Sequence, residues 1–236
     1  MDDPAPLSSN QLLASLPPAD FERVQPYLRS LEMEQGAVLV AAGAKLSHVY
    51  FPHSGVISLV VRLAAGHTVE TAMIGRDSVF GGSTALDGNV AMNDAIVQMA
   101  GVASILDVQE LRLAARQSES FRTALIRHDQ ALLAQTQQSV ACNASHKVEA
   151  RLARWLLRAR DLSDSDTLRL TQVFLSQMLG VRRASVTEVA IALEEARLIR
   201  GQRGSIQITD HDGLHNSSCE CYATVKAHYD RLRQAD

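Results

Sequence analysis

Two arginines, Arg182 and Arg183, follow Gly180 closely and open an amphipathic stretch within residues 170–208. A guanidinium in the first turn of a helix can donate two hydrogen bonds to O6 and N7 of guanine, and a recognition helix enters the DNA major groove by that end. Downstream, Leu198 to Ile208 alternates and turns like a hairpin with a cationic tip, where Arg200 and Arg203 could hold phosphate. Ser185, Thr187 and Glu188 beyond the arginines, with Thr171 and Gln172 ahead of them, complete the candidate DNA-contacting set.

These groups need two short helices and a turn to present them. Phe174, Met178 and Leu179 before Gly180, and Val181, Val186, Val189 and Leu193 after it, keep helical spacing. Gly180 stands where a helix-turn-helix needs a residue free to take positive φ. Any helical pair needs a turn and glycine is common there, so the motif alone carries a bland alternative. The hairpin behind it, a wing, favours the DNA reading.

Other residues invite metal or ligand chemistry. His211-x-x-x-His215-x-x-x-Cys219-x-Cys221 holds enough donors for a tetrahedral zinc site. Its spacing departs from the common C-x-x-C pattern, and a solvated tail packing Tyr222 and Tyr229 on the wing is the expected arrangement. No cofactor is expected, with zinc at the tail kept open. His48, His53 and His67 are read as polar surface residues rather than ligands. His67-x-x-Glu70 lacks the His-x-His pair of a metal-dependent cupin enzyme, and no nucleophile triad or phosphate loop stands out. An enzyme is therefore not expected. A cupin-like enzyme and a protein-interaction scaffold are kept as alternatives.

At 236 residues the chain exceeds a lone winged helix and is long enough for two modest domains. Residues 1–146 hold 9 basic against 14 acidic side chains, whereas residues 147–210 hold 11 against 8, so positive charge gathers with the DNA-reading segment. Three cysteines form no disulfide framework, and no apolar run is long enough to span a bilayer. The acidic start Met1-Asp2-Asp3-Pro4 does not read as a signal peptide. A cytoplasmic protein with no membrane partner is expected.

Upstream, residues 8–30 suggest two short helices broken at Pro17-Pro18. From Leu31 to Ala115, short β-rich segments (37–40, 49–51, 55–63, 69–74, 95–98 and 103–107) alternate with Gly, Asp and Asn turns, predicting a sandwich or small barrel. Closely spaced glycines at Gly81 and Gly82, before Ser83, could let the backbone approach a ligand, although a plain corner of the roll explains them equally well. Residues 118–146 turn helical, with Phe121, Leu125, Leu132, Leu133, Thr136 and Val140 near a 3.5-residue repeat, a stripe suited to a twofold seam. Val148 to Arg160 reads as a helix with Leu152, Trp155 and Leu156 inward and Arg151, Arg154 and Arg158 outward. The expected organisation is a sensor roll with N-terminal helices over 1–117, a long linker and dimerisation helix over 118–146, a winged helix-turn-helix over 147–210 and a tail over 211–236.

This order resembles the cyclic-AMP receptor and fumarate/nitrate regulator (Crp/Fnr) family of bacterial transcription factors. The resemblance covers roughly residues 10–210. It rests on Tyr50-Phe51-Pro52-x-x-Gly55-x-Ile57-Ser58, Gly75-x-x-Ser78-x-Phe80-Gly81-Gly82, Val148-x-x-Arg151-Leu152-Ala153 and, most specifically, Leu175-Ser176-Gln177-Met178-Leu179-Gly180-x-x-Arg183-x-Ser185-Val186. It implies an α+β fold: a cyclic-nucleotide-binding-like jelly-roll, a long dimerisation helix and a C-terminal winged helix-turn-helix. It also implies a homodimer that binds pseudo-palindromic sites on double-stranded DNA and contacts RNA polymerase.

The chain departs from the family at both ends. Where cAMP binders carry a Gly-Glu pair and then an Arg-Ser pair, this chain has Gly82-Ser83 and Asn93-Asp94. Loss of that guanidinium removes the bidentate phosphate contact, and Asp94 is expected to set a carboxylate beside the anion, so cAMP is not expected as effector. In the reading helix, Arg183 matches the family, but Ala184 and Glu188 replace a Glu and a second Arg, so the target sequence does not transfer.

Overall fold

The computed structural model describes residues 9–64 and 66–233; the segment Met1–Pro4 discussed above lies outside them. Two short helices, α1 (Gln11–Ala14) and α2 (Pro18–Val24), precede a β-roll. Its strands are β1 (Arg29–Met33), β2 (Val38–Val40), β3 (His48–Pro52), β4 (Val56–Arg62), β5 (Thr68–Ile74), β6 (Asp94–Met99) and β7 (Gly101–Asp107), with a short α3 (Gly82–Leu86) between β5 and β6. They form antiparallel sheets in the orders β1-β7-β3 and β2-β6-β4-β5. Leu46, Val49, Phe51, Ile57, Ile74, Val97 and Leu106 fill the space inside.

The expected β-region ends early. Asp107 accepts a hydrogen bond from the Gln109 N–H at 2.7 Å and starts α4 (Val108–Gln117), whose buried Val108, Leu111, Ala114 and Ala115 follow helical period. The roll also begins before Leu31, because Arg29 pairs with Ile105.

The long helix α5 (Glu119–Ser145) is capped by Ser118, whose Oγ accepts from the Phe121 N–H at 3.0 Å. The single stripe read from the sequence resolves into two faces. Phe121, Leu125, His128, Ala131, Gln135, Ser139 and Cys142 are buried, whereas Ile126, Leu133 and Val140 are exposed at intervals of seven.

Next come α6 (Val148–Ser163), β8 (Thr167–Leu168), α7 (Gln172–Leu179), α8 (Arg183–Glu195), β9 (Ile199–Gln202) and β10 (Ser205–Ile208). The wing is a sheet of order β8-β10-β9, with β8 an addition to the expected hairpin. Gly180 takes φ of +63° at the end of α7, and the Val181 N–H closes the turn on the Ser176 carbonyl at 3.0 Å.

Two expectations change here. Residues 211–233 are not a solvated tail: α9 (His211–Ser217) and α10 (Cys221–Arg233) pack on α6 and α5, with Tyr222, Val225 and Tyr229 buried at helical spacing. Arg151 and Arg158 are buried rather than outward, because α6 is enclosed by the roll, α7 and α10 together. Arg151 donates to the Leu179 carbonyl, and Arg158 donates to Asp77 at 2.7 Å while lying 4.6 Å from the centre of the Tyr229 ring.

The second core continues into the roll. Val56, Val60, Met73 and Met99 pack with Leu152, Trp155, Leu156 and Met178. Each apolar side chain withdrawn from water contributes roughly 1.5 to 3 kcal/mol, so the roll and the C-terminal helical unit are held in this arrangement by more than surface contact.

Candidate nucleic-acid interface and sensor cavity

Arg183 is the first residue of α8 and Arg182 its N-cap; both are exposed, and among the described residues no side chain caps the helix. Thr171, Glu188, Arg200 and Arg203 are exposed as well, whereas Gln172, Ser185 and Thr187 are half-buried. Thr187 donates its hydroxyl to Gln172 Oε1 at 2.9 Å, and Thr171 Oγ1 accepts from the Phe174 N–H at 3.2 Å as the cap of α7. Gln172 and Thr187 thus fasten the helical pair and Thr171 caps α7, while Arg182 and Arg183 on the pair and Arg200 and Arg203 on the wing are exposed. Glu194, not singled out from the sequence, accepts from the Gly201 N–H at 2.7 Å and ties wing to helix. Thr171, Gln172 and Arg183 share a groove of about 230 Å³ with Gly201, Gln202 and Gly204 of the wing. Arg182 and Ser185 instead border a cleft of about 810 Å³ whose other wall is the β4–β5 hairpin at Leu63, His67 and Val69.

A cavity of about 560 Å³ opens between the roll and α5. Gly81, Gly82, Ser83 and Asn93 line it, with Phe80, Met92, Leu132 and Thr136. Gly81 takes φ of +87°, a conformation that favours glycine, and a Cβ there would crowd the end of the Leu46 side chain. Asp129 is the charged residue among those described as lining it, and no cationic side chain joins them. Asp94, expected at the ligand, is directed elsewhere. Its Oδ1 accepts from the Ala42 N–H at 2.7 Å and its Oδ2 from Arg62 at 2.8 Å, which hold its carboxyl below the usual carboxylate range.

A family model described as a Crp-like helix-turn-helix domain matches residues 150–217, and one described as a cyclic nucleotide-binding domain matches residues 30–118. The chain belongs to the Crp/Fnr family. As such it is a DNA-binding transcription regulator. Among solved structures, FixK2 from Bradyrhizobium japonicum is 16% identical, with 81% of this chain and 98% of that one covered at a TM-score of 0.70. A CRP-family transcriptional regulator from Thermus thermophilus is 19% identical over 80% and 96%, at 0.66. The c-di-GMP responsive global regulator CLP from Xanthomonas campestris is 14% identical over 80% and 98%, at 0.61. At these identities the likeness is one of fold. Comparison with curated proteins found no match. Among the described residues no helix is long and apolar enough to cross a membrane.

In this Crp/Fnr chain the two halves are joined by buried polar groups. Glu70 of β5 accepts from the Trp155 indole N–H at 2.7 Å and from the Ser58 hydroxyl. Burial pushes the Glu70 carboxyl up to about 7, although these two hydrogen bonds oppose the rise. At the surface, the exposed Gln35 donates to the carbonyls of Gln98 and Arg169, both at 3.0 Å, and so bridges roll and wing unit again. Glu70 belongs to this joint rather than to a metal site beside His67, which is exposed. His53, read as a surface residue, is buried: its Nδ1 lies 2.8 Å from Ser9 Oγ and its Nε2 2.7 Å from Ser104 Oγ, and burial lowers its pKa.

The tail donors also sort differently from expectation. Cys142, His146, Cys219 and Cys221 place their ligand atoms within 4.8 Å of one another, a group that does not include His211 and His215. The His215 ring packs edge-on against Tyr222 with centroids 5.4 Å apart, and His211 Nδ1 lies 3.5 Å from Asp212. Helix formation over 211–217 turned those histidines to other neighbours, while the packing of α10 on α5 brought Cys142 and His146 to the two remaining cysteines.

Proposed function

We propose that the chain acts in the cytoplasm as a homodimer, binds pseudo-palindromic promoter sites on double-stranded DNA and there contacts RNA polymerase. Arg183 carries this reading: it is exposed at the first position of α8, immediately after the Gly180 turn and beside a groove shared with the wing. Arg182, Arg200 and Arg203 supply cations for phosphate on either side. Ile126, Leu133 and Val140 offer a heptad-spaced apolar stripe for a second α5, and twofold symmetry suits paired half-sites.

The 560 Å³ cavity is the place for an effector, and its lining argues against cAMP, whose cyclic phosphate would meet Asp129 and no cation. A small, largely uncharged ligand fits the apolar wall of Phe80, Met92 and Leu132 better.

Titrating salt against binding to a duplex of arbitrary sequence tests the reading. Phosphate contact predicts that log K falls steeply with log salt. Salt-independent binding would favour a winged helix that docks another protein.

A further inference from the structure

We propose that Cys142, His146, Cys219 and Cys221 bind one zinc ion, which clips the C-terminal helix α10 to the end of the long helix α5. Cys142 lies in the last turn of α5 and His146 is its C-cap, while Cys219 sits in the link between α9 and α10 and Cys221 opens α10. The four donors therefore converge from segments some 75 residues apart.

The distances suit a tetrahedral ion. With Zn–S near 2.3 Å and Zn–N near 2.0 Å, two sulfurs on one zinc stand about 3.7 Å apart, and a sulfur and a nitrogen about 3.5 Å. Cys142 Sγ and Cys219 Sγ are separated by 3.5 Å, and Cys221 Sγ and His146 Nδ1 by 3.6 Å. A disulfide would need the two sulfurs at about 2.05 Å. All three cysteines are buried, as in a closed four-coordinate site.

The surroundings match a ligating histidine and thiolates. His146 turns Nδ1 to the cluster while its Nε2 lies 3.2 Å from Glu220 Oε1, the carboxylate–histidine–metal arrangement that orients the ring. Gln138 donates its side-chain N–H to Cys221 Sγ at 3.0 Å. On binding, the three thiols release their protons to solvent and the imidazole binds neutral, leaving a net charge of −1 with Zn²⁺. The positive charges of Arg151 and Arg154 act on Cys142 and offset it.

The site lies at the corner between the long helix and the DNA-reading unit, since Lys147 caps α6 directly after His146. It stands or falls independently of which DNA is read.

The test uses the full chain, purified under reducing conditions without chelator. Elemental analysis should find one zinc per chain, and refilling the stripped protein with Co²⁺ should give intense thiolate-to-metal charge-transfer bands with tetrahedral visible bands. Cys219→Ser and His146→Ala should each lower zinc affinity at least tenfold, whereas His211→Ala and His215→Ala should leave it unchanged. A reduced chain that binds neither zinc nor cobalt stoichiometrically would overturn the proposal, whatever the variants do. So would metal retained by His146→Ala but lost by His215→Ala.

Discussion

Trp155 of the DNA-reading unit donates its indole N–H to Glu70 of the roll at 2.7 Å, in a place where the carboxyl is buried. Burial raises the Glu70 pKa from 4.5 to about 7, so the folded protein holds this proton more tightly than the unfolded chain does. The sign follows from linkage: with more protons bound in the folded state, stability falls as pH rises from about 4.5 to about 7 and then levels off. The full effect is roughly 3 kcal/mol as an upper bound. Glu70→Gln stays neutral and should remove this component. Denaturant unfolding of both proteins at pH 5 and pH 8 should show the wild type losing more stability than the variant; equal losses would place Glu70 outside the pH response.

Phosphate contact by the wing predicts a uniform effect. Arg203 is exposed in the β9–β10 turn beside Gly204. Arg203→Ala should weaken binding to related and unrelated duplexes alike and reduce the slope of log K against log salt by about 1. Fluorescence anisotropy across a salt series reads both quantities.

The exposed stripe on α5 predicts that assembly is lost on charging it. Val140 is 67% exposed in the single chain, so Val140→Glu should leave the fold intact, as circular dichroism would show. Sedimentation should find a dimer for the wild type and a monomer for the variant, with loss of preference for paired half-sites. A variant that remains dimeric would move the twofold seam away from this stripe.

The lining of the roll cavity predicts silence toward cAMP. Calorimetry with the wild-type chain should record no saturable heat at millimolar cAMP. Saturable binding at micromolar concentration would mean that the phosphate finds a cation elsewhere than among the lining residues.

The sheets, the long helix and the helix-turn-helix were legible because each rests on a local signal: β-rich runs bounded by turn residues in β4 and β5, and helical spacing along α5 and around Gly180. What escaped was set by packing at a distance. Arg151 and Arg158 read as the polar face of α6, yet three neighbours enclose that helix, and each arginine is buried against a specific acceptor. Helix α4 was hidden by its β-rich approach, although the Asp107 cap and the helical spacing of Val108, Leu111, Ala114 and Ala115 mark it. In the candidate site, Arg183 and the glycines of the roll corner could be picked out by type and spacing. Asp94 could not, because its pairing with Arg62 joins strands β4 and β6, and the cysteine cluster could not, because its members meet only when α10 lies along α5.

Selection of bound sequences from random duplexes by purified wild-type chain and by Arg183→Ala tests the central claim most directly. We predict a pseudo-palindromic motif for the wild type. The variant should lose preference at one base step in each half-site, by about 1 to 3 kcal/mol. An unstructured wild-type pool, or one identical motif from both proteins, would contradict the assignment of Arg183 as the residue that reads DNA.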